Sequence, residues 1–257
     1  MNRVLLIVDP QNSFCDPQGE LFVSGADRDM ERLSTFIKTH GHLFSRIVVT
    51  MDSHNRVHIA HPIWWVDKEG NHPAPFTPIT QSDVASGEWM AANAHEQAWA
   101  EHYVRECGTH MIWPPHCIMG TKGHQIYAPL EAALSDWADT HHDLVLKPKG
   151  NARNTEHFSI FSPKVSREND PSTAFDTALL ENLDSFDEIY VAGEASSHCV
   201  ADSVRDLVVA RPAMAAKVTL LRDAMSPVTD FEGFANAFLA EMKKAGVRCA
   251  ETTDTPA

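Results

Sequence analysis

The sequence predicts an α/β fold: a doubly wound, mainly parallel six-stranded sheet with helices on both faces. Short runs rich in β-branched residues recur along the 257-residue chain, and helix-period segments lie between several of them. These runs are continuously apolar, as in parallel strands that are buried on both faces. Hydrophobic residues make up 43% of the chain and charged residues 22%, as in a globular protein with a full core. We therefore expect one domain over residues 1–257.

Each predicted strand is a β-branched apolar run, and each predicted helix has apolar residues at helical spacing. The strands are expected at Val4–Val8, Arg46–Thr50, Leu144–Leu146, Glu188–Ala192, Val218–Leu221 and, from a weaker signal, Val247–Cys249. The helices are expected at Asp29–Thr39, His95–Cys107, Leu130–Ala138, Thr173–Leu183, Ser197–Ala210 and Phe231–Ala245. The first run ends in an acidic residue without a small-residue cleavage site, so it predicts a strand and not a signal peptide.

Residues 61–111 interrupt the alternation of strands and helices. This stretch is rich in Trp, Pro and His, and its only predicted helix is the one at His95–Cys107. A connection of this length is longer than usual, and such insertions are typically binding lids or contact surfaces. Both hypotheses, a lid over the site and an oligomer interface, stay open.

Charge and cysteine usage exclude several classes of partner. The formal net charge is −14 without a basic run, which argues against nucleic acid and anionic membranes. No apolar run approaches the ~20 residues that span a bilayer. The five cysteines form no C-x-x-C pair, which favours a reducing compartment, the cytoplasm by default. A small molecule is the expected partner, and a homo-oligomer is left open.

Reactive side chains close several predicted strands. Asp9, Asp52 and Lys149 each follow a strand, and Cys199 follows another at the start of a helix. Each alone is more often structural, but the carboxyl ends of parallel strands share one edge, where ligands bind. Asp9, Lys149 and Cys199 suit acyl transfer, because an ammonium and a helix start favour thiolate and a carboxylate accepts its proton. His198 diverges from its neighbour Cys199 and is the weaker candidate base.

A second group of side chains suits a metal ion. Asp52 and His54 stand two apart at a strand end, with His58, His61 and the distant His116 as further candidates. Three protein ligands with open positions describe a catalytic metal site. Because the chain has 15 histidines and the spacing is not specific, the structural alternative stays open at this stage.

Five motifs, in order, resemble the isochorismatase-like cysteine hydrolases, and within them the nicotinamidases. The resemblance runs from Val4 to about Val228 outside the insertion. Its motifs are Val8-Asp-Pro-Gln-Asn-Ser-Phe14, Asp52-x-His54, Trp113-Pro-x-His-Cys117, Lys149-Gly150 followed by Ser159-Ile-Phe161, and Gly193-x-Ala-x-x-x-Cys-Val200. The chain departs from the usual pattern at Ser53, at Asn55 and in the segment before the cysteine.

The resemblance implies a role for each matching residue. It implies Asp9, Lys149 and Cys199 as the catalytic triad, with Lys147 as the fallback lysine. It implies an oxyanion hole from the backbone N–H groups of Ala195 and Cys199, with a cis peptide at Glu194–Ala195. The remaining implied residues are the aromatic walls Phe14 and Trp113 and the metal ligands Asp52, His54 and His116, with His58 as a fourth candidate.

The implied function is hydrolysis of nicotinamide to nicotinate and ammonia through a cysteine thioester. One divalent metal ion is expected, zinc first, although iron or manganese suits the same ligands. Two alternatives are kept: the same chemistry on another small amide, and a metal-binding scaffold protein without catalysis.

Overall fold

Six parallel strands form the central sheet of the computed structural model, which describes residues 1–256. The order across the sheet is β10-β9-β8-β1-β2-β7, and each neighbouring pair is parallel. These strands are β1 (Arg3–Val8), β2 (Arg46–Asp52), β7 (Leu144–Lys149), β8 (Glu188–Gly193), β9 (Val218–Leu221) and β10 (Arg248–Ala250). The predicted doubly wound α/β class and all six predicted strands are confirmed.

The longer helices lie where the helical spacing predicts them. They are α2 (Ala26–His40), α4 (Gln97–Cys107), α5 (Ala128–His141), α6 (Thr177–Asp184), α7 (Cys199–Ala210) and α8 (Glu232–Ala245). Helix α6 begins four residues later than predicted, because Asp176 caps it by accepting from the Leu179 N–H at 2.9 Å. Two short helices were not predicted: α1 (Asn12–Cys15) and α3 (Gln81–Ser86).

Apolar residues on both faces of the sheet make the core. Leu5 and Ile7 of β1 belong to the cluster that contains α2 and α5 side chains such as Leu33. Leu6 and Val8 belong to the opposite cluster, with α6, α7 and α8 side chains such as Val204. Successive side chains of a strand point to opposite faces, so β1 is buried from both sides.

The chain order places a topological switch point beside β1. Strands β2 and β7 lie on one side of β1, and β8, β9 and β10 lie on the other. Loops that leave β1 and β8 therefore diverge at the carboxyl edge of the sheet, which opens a crevice there. This crevice receives the residues described below.

The insertion packs around a small core of its own. It contains α3, α4 and four two-residue strands: β3 (Trp65–Val66), β4 (Pro78–Ile79), β5 (Met90–Ala91) and β6 (His110–Met111). Trp65, Tyr103 and Val104 are fully buried in this core, together with Ile59 before the insertion and Ile112 after it. The segment is thus anchored at both of its ends. Among residues 1–256, no helix has the length and apolarity needed to cross a bilayer.

Candidate active site

Four segments bring reactive side chains together at the carboxyl edge of the sheet. Asp9 follows β1, Asp52 ends β2 and Lys149 ends β7. Cys199 is the first residue of α7, after the loop that leaves β8. None of the four residues is more than 7% exposed. The strand ends therefore converge as the sequence predicts.

The Lys149 ammonium lies at the centre of this group. Its Nζ is 2.9 Å from Asp9 Oδ2 and 3.1 Å from Asp52 Oδ1. The same nitrogen is 3.7 Å from Cys199 Sγ and donates to the His157 carbonyl oxygen at 2.8 Å. One cation thus contacts both carboxylates and the sulfur.

Asp9 is held in place from two sides. The Asp9 backbone N–H donates to Thr50 Oγ1 at 3.0 Å, and that hydroxyl donates to Asp9 Oδ1 at 2.6 Å. The Gln11 side chain bridges the neighbouring strand end, accepting from the Asp52 N–H and donating to the Asp52 carbonyl oxygen, both at 2.7 Å. The Asp9 carboxylate is close enough to the Cys199 thiol to raise the pKa of that thiol. Asp9 is therefore a proton acceptor beside the nucleophile.

Burial changes the protonation expected at Cys199. It raises the pKa of the Cys199 thiol well above its usual value, and Lys149 opposes this while Asp9 and Asp52 add to it. Burial also raises the pKa of Asp9. The helix start alone predicted a stabilised thiolate; desolvation and two carboxylates outweigh it in the free protein. The Cys199 thiol and the Asp9 carboxyl therefore both hold a proton more tightly than in water, beside a fixed ammonium.

Lys149 stays charged despite its burial. Burial by itself would lower the pKa of this amine, but the charges of Asp52 and Asp9 raise it well above the usual value. By contrast, Lys147 of the same strand forms an ion pair with Asp176, away from Cys199. Of the two lysines, only Lys149 contacts the sulfur.

The loop before α7 bends back on itself beside Cys199. The Glu194–Ala195 peptide is cis, as the family resemblance implies. The Ala195 carbonyl oxygen accepts from the His198 N–H at 3.0 Å and from the Val200 N–H at 3.1 Å. Ala195 and Cys199 both line one cavity, whose other walls are described below.

A cluster of imidazoles surrounds Asp52. His54 Nε2 is 2.7 Å from Asp52 Oδ2, and His116 Nε2 is 3.5 Å from the same oxygen. The His54 N–H donates to the Cys117 carbonyl oxygen at 3.0 Å, which holds His116 beside the end of β2. Ligand atoms of His54, His61 and His116 all lie within 4.8 Å of one another. Asp52, His54 and His116 are thus together as predicted, and His61 joins them.

His58 belongs to a second, overlapping group. Ligand atoms of His54, His58 and Glu156 also lie within 4.8 Å of one another. His58 Nδ1 accepts from the Ala60 N–H at 3.2 Å, which leaves Nε2 free for a ligand. His58 therefore lies beside Glu156, and its ring centroid is also 5.5 Å from that of His61.

The donor atoms of both groups fit a divalent cation. Within residues 1–256, no hydrogen bond reaches the buried atoms His54 Nδ1, His58 Nε2, both ring nitrogens of His61, or Glu156 Oε2. Burial lowers the pKa of His61 to about 2, so its imidazole is neutral. Neutral imidazole and carboxylate are the forms that bind zinc, iron or manganese. Buried donors without partners are what an ion would satisfy.

Aromatic side chains line the cavity in front of the nucleophile. Phe14 and Trp113 line it together with Cys199, as predicted, and Phe158 completes the aromatic wall. The Phe14 ring lies 5.3 Å from His116, which connects this wall to the imidazole cluster. A flat ring with a polar edge fits such a cavity.

His198 contributes to this wall and does not face the thiol as a base. Its ring lies 4.9 to 5.3 Å from those of Trp113, Phe158 and Phe231. Burial lowers the pKa of this imidazole to about 4. Its environment is consistent with the prediction that Asp9 is the better base.

Curated relatives of this sequence are nicotinamidases. The chain is 24% identical over 251 residues to the Saccharomyces cerevisiae nicotinamidase, covering 97% of this chain and 99% of that protein. It is 27% identical over 200 residues to the Acinetobacter baylyi nicotinamidase, covering 78% and 72%. No family model matches the chain. The chain is thus similar to two nicotinamidases over most of its length.

Solved structures share the fold of this chain. The Acinetobacter baumanii nicotinamidase/pyrazinamidase superposes with a TM-score of 0.67 at 24% identity, covering 98% of this chain and 97% of that one. The yeast nicotinamidase gives a TM-score of 0.67 at 23% identity, with 97% and 99% covered. A Pyrococcus horikoshii pyrazinamidase in complex with zinc gives 0.59 at 20% identity, with 98% and 99% covered. The predicted fold family is confirmed.

Three residues of this site lie outside the predicted set. One is His61, a candidate by its position seven residues after His54 but not one of the predicted ligands. Glu156 and Phe158 lie in an irregular segment after β7, where no periodicity draws attention to them. Only the packing of that segment against the imidazoles shows where they lie.

Proposed function

We propose that this protein is an amidohydrolase that converts nicotinamide to nicotinate and ammonia through a cysteine thioester. The single observation that carries the proposal is the contact of Lys149 with both Asp9 and Cys199 at an aromatic-lined cavity. The relatives named nicotinamidases support the choice of substrate.

The proposed first half-reaction uses the three contacts described above. Asp9 accepts the proton of the Cys199 thiol, and the Lys149 ammonium stabilises the developing thiolate. Sulfur attacks the amide carbon, and the N–H groups of Ala195 and Cys199 stabilise the oxyanion, each worth ~3–4 kcal/mol. Asp9 then gives its proton to the departing nitrogen, so ammonia leaves and the thioester remains.

The proposed second half-reaction reverses the proton transfer. Asp9 takes a proton from water, and the resulting hydroxide attacks the thioester carbon. The carbon–sulfur bond breaks, the proton returns from Asp9 to Cys199, and the acid leaves as nicotinate with its own proton released to solvent. Phe14 and Trp113 hold the pyridine ring so that its carboxamide faces the sulfur.

We propose that Asp52, His54, His61 and His116 hold a divalent cation, with zinc as the first candidate. The zinc-bound pyrazinamidase supports this choice, as does the contact of Asp52 with two of the three imidazoles. When bound, the cation supplies a Lewis acid that orients the pyridine nitrogen or a water. The insertion contributes His61 and leads into Trp113. The backbone N–H of Trp113 donates to the Ala60 carbonyl oxygen at 2.8 Å. This connection supports a role of residues 61–111 in shaping the site.

Ammonia release tests the proposed substrate. We expect purified, metal-loaded protein to release ammonia from nicotinamide with a kcat/KM at least tenfold above that for benzamide. Benzamide keeps the ring and the carboxamide but lacks the pyridine nitrogen that the site would orient. Equal rates would contradict recognition of that nitrogen. Release from other amides alone would keep the cysteine chemistry and reject nicotinamide.

Metal content distinguishes the two overlapping ligand groups. We expect His61→Ala to lower bound zinc at least tenfold after loading and gel filtration, measured by elemental analysis, because it removes a ligand beside His54 and His116. His58→Ala is the matched control: it is equally buried, contacts the same His54 ring and should retain zinc. The reverse result would place the ion with Glu156 and His58.

A further inference from the structure

A buried pair of carboxyl groups lies behind the nucleophile loop. Glu194 follows β8 directly and is fully buried, and Asp29 in the first turn of α2 is 2% exposed. The two carboxyl groups are neighbours, since each acts on the pKa of the other. Neither residue lines the cavity that contains Cys199. The pair thus lies next to the catalytic loop without forming part of the substrate site.

The contacts of the four carboxyl oxygens show where a proton lies. Asp29 Oδ1 accepts from the Arg32 guanidinium, and Glu194 Oε2 accepts from the Ser226 N–H at 3.0 Å. Asp29 Oδ2 and Glu194 Oε1 are buried and receive no donor from elsewhere in residues 1–256. Two adjacent buried carboxylates repel each other unless a proton lies between them. A single proton between these oxygens satisfies both.

That proton belongs mainly to Glu194. Burial, the charge of Asp29 and the hydrogen bond to Asp29 raise the pKa of Glu194 well above its usual value. Burial also raises the pKa of Asp29, but the neighbouring Arg32 guanidinium opposes this by favouring the ionised form. The other titratable neighbours are Cys15, whose pKa is raised well above normal by burial, and Asp27. Neither supplies a positive charge to the pair.

The loop between Glu194 and Cys199 rests on the segment after β9. The Ser196 N–H donates to the Ser226 carbonyl oxygen at 2.9 Å, and the Val228 N–H donates to Ser197 Oγ at 3.0 Å. A proton held between Glu194 and Asp29 would also tie the same loop to α2. The peptide N–H of Ala195, assigned above to the oxyanion hole, directly follows this anchor.

We propose that Glu194 and Asp29 are positioning residues, whose shared proton anchors the loop that carries Ala195 and Cys199. The proposal rests on the proposed amidase reaction for its kinetic readout. The pair does not touch the cavity, so it acts by placing the oxyanion donor and the nucleophile. Its loss should lower kcat and leave KM nearly unchanged.

Two substitutions of Glu194 distinguish the effect of its hydrogen bonds from the effect of its volume. Glu194→Gln keeps a donor for Asp29 and an acceptor for the Ser226 N–H, whereas Glu194→Met keeps the length but removes both. We expect Glu194→Met to lower kcat for nicotinamide at least tenfold with KM within threefold. Glu194→Gln should restore kcat to within about threefold of the native value. A kcat of Glu194→Met equal to the native one would overturn the proposal.

The pH dependence of stability is a second readout. A contact that holds no proton would not alter it. The folded-state pKa of Glu194 is raised, so its stabilising effect is present at acid pH and is lost as pH rises through that pKa. Urea unfolding between pH 5 and 9 should therefore show the native midpoint falling relative to that of Glu194→Gln. Parallel curves would mean that no proton is shared.

Alkylation of Cys199 keeps this test separate from the proposed function. The rate of its reaction with iodoacetamide should change in Glu194→Met and return towards the native value in Glu194→Gln. If the native protein releases no ammonia from nicotinamide, the proposed substrate fails, while alkylation and unfolding still decide on the pair. If Glu194→Met does not fold, the comparison of native protein with Glu194→Gln across pH decides. Native alkylation rates in Glu194→Met together with parallel unfolding curves would overturn the proposal.

Discussion

Cys199→Ala is expected to lower kcat for nicotinamide hydrolysis by about 10⁴-fold or more. The variant removes the only sulfur that contacts Lys149, and no other nucleophile can form the proposed thioester. The change creates little empty space, and Cys199 lies on the cavity surface, so the fold should persist. Nicotinamide should still bind, because Phe14 and Trp113 remain. Ammonia release and calorimetric titration with nicotinamide measure the two effects separately.

Cys107→Ala is the control for this experiment. Cys107 is partly buried and lines a neighbouring cavity that shares Trp113 and Phe158 with the site. We expect its kcat to stay within about twofold of the native value, since its sulfur is outside the triad. A Cys199→Ala protein with a substantial residual rate would reject the covalent mechanism. Loss of both activity and binding would point instead to a collapsed cavity.

Lys149→Met is expected to abolish turnover and to destabilise the protein by roughly 3–5 kcal/mol. The ammonium lies between Asp9 and Asp52, so its removal leaves two buried carboxylates without their shared counter-charge. It also removes the cation next to Cys199 Sγ, which raises the cost of forming thiolate. Urea unfolding measures the stability, and ammonia release measures the turnover.

Lys147→Met is the matched control, two residues earlier on the same strand. Its side chain is 36% exposed and pairs with Asp176 at the surface. Exposed pairs of this kind contribute about 0–1 kcal/mol, so this variant should be nearly native in both assays. If Lys147→Met lost activity and Lys149→Met did not, the fallback lysine of the sequence analysis would be the catalytic one.

The fold could be predicted because its signals are local. A continuous apolar run or a helical spacing is visible within a short stretch of chain. All six strands and all six longer helices lie where these patterns predict them. The two-residue strands of the insertion could not be predicted, because so short an element has no period to detect. Their pairing depends on Trp65, Tyr103 and Val104, which pack together from distant positions.

The candidate site was predictable to different degrees for different residues. Asp9, Asp52, Lys149 and Cys199 stand at strand ends, so parallel topology alone brings them to one edge. His116 was already a candidate ligand from its residue type, Trp113 came from the family motif, and the structure places both beside that edge. His61 is not among the predicted ligands, because spacing along an irregular segment does not say which imidazole approaches those of His54 and His116.

The sequence by itself determined the sheet, its helices and the edge at which the triad meets, because each depends on residues close in the chain or on strand direction. The tertiary structure decided the charge state of Cys199 and Asp9, which depends on how completely water is excluded around them. It also decided which imidazoles share a ligand space and that Glu194 meets Asp29 across 165 residues. Such contacts follow from the packing of separate segments, and no local pattern in the chain specifies them.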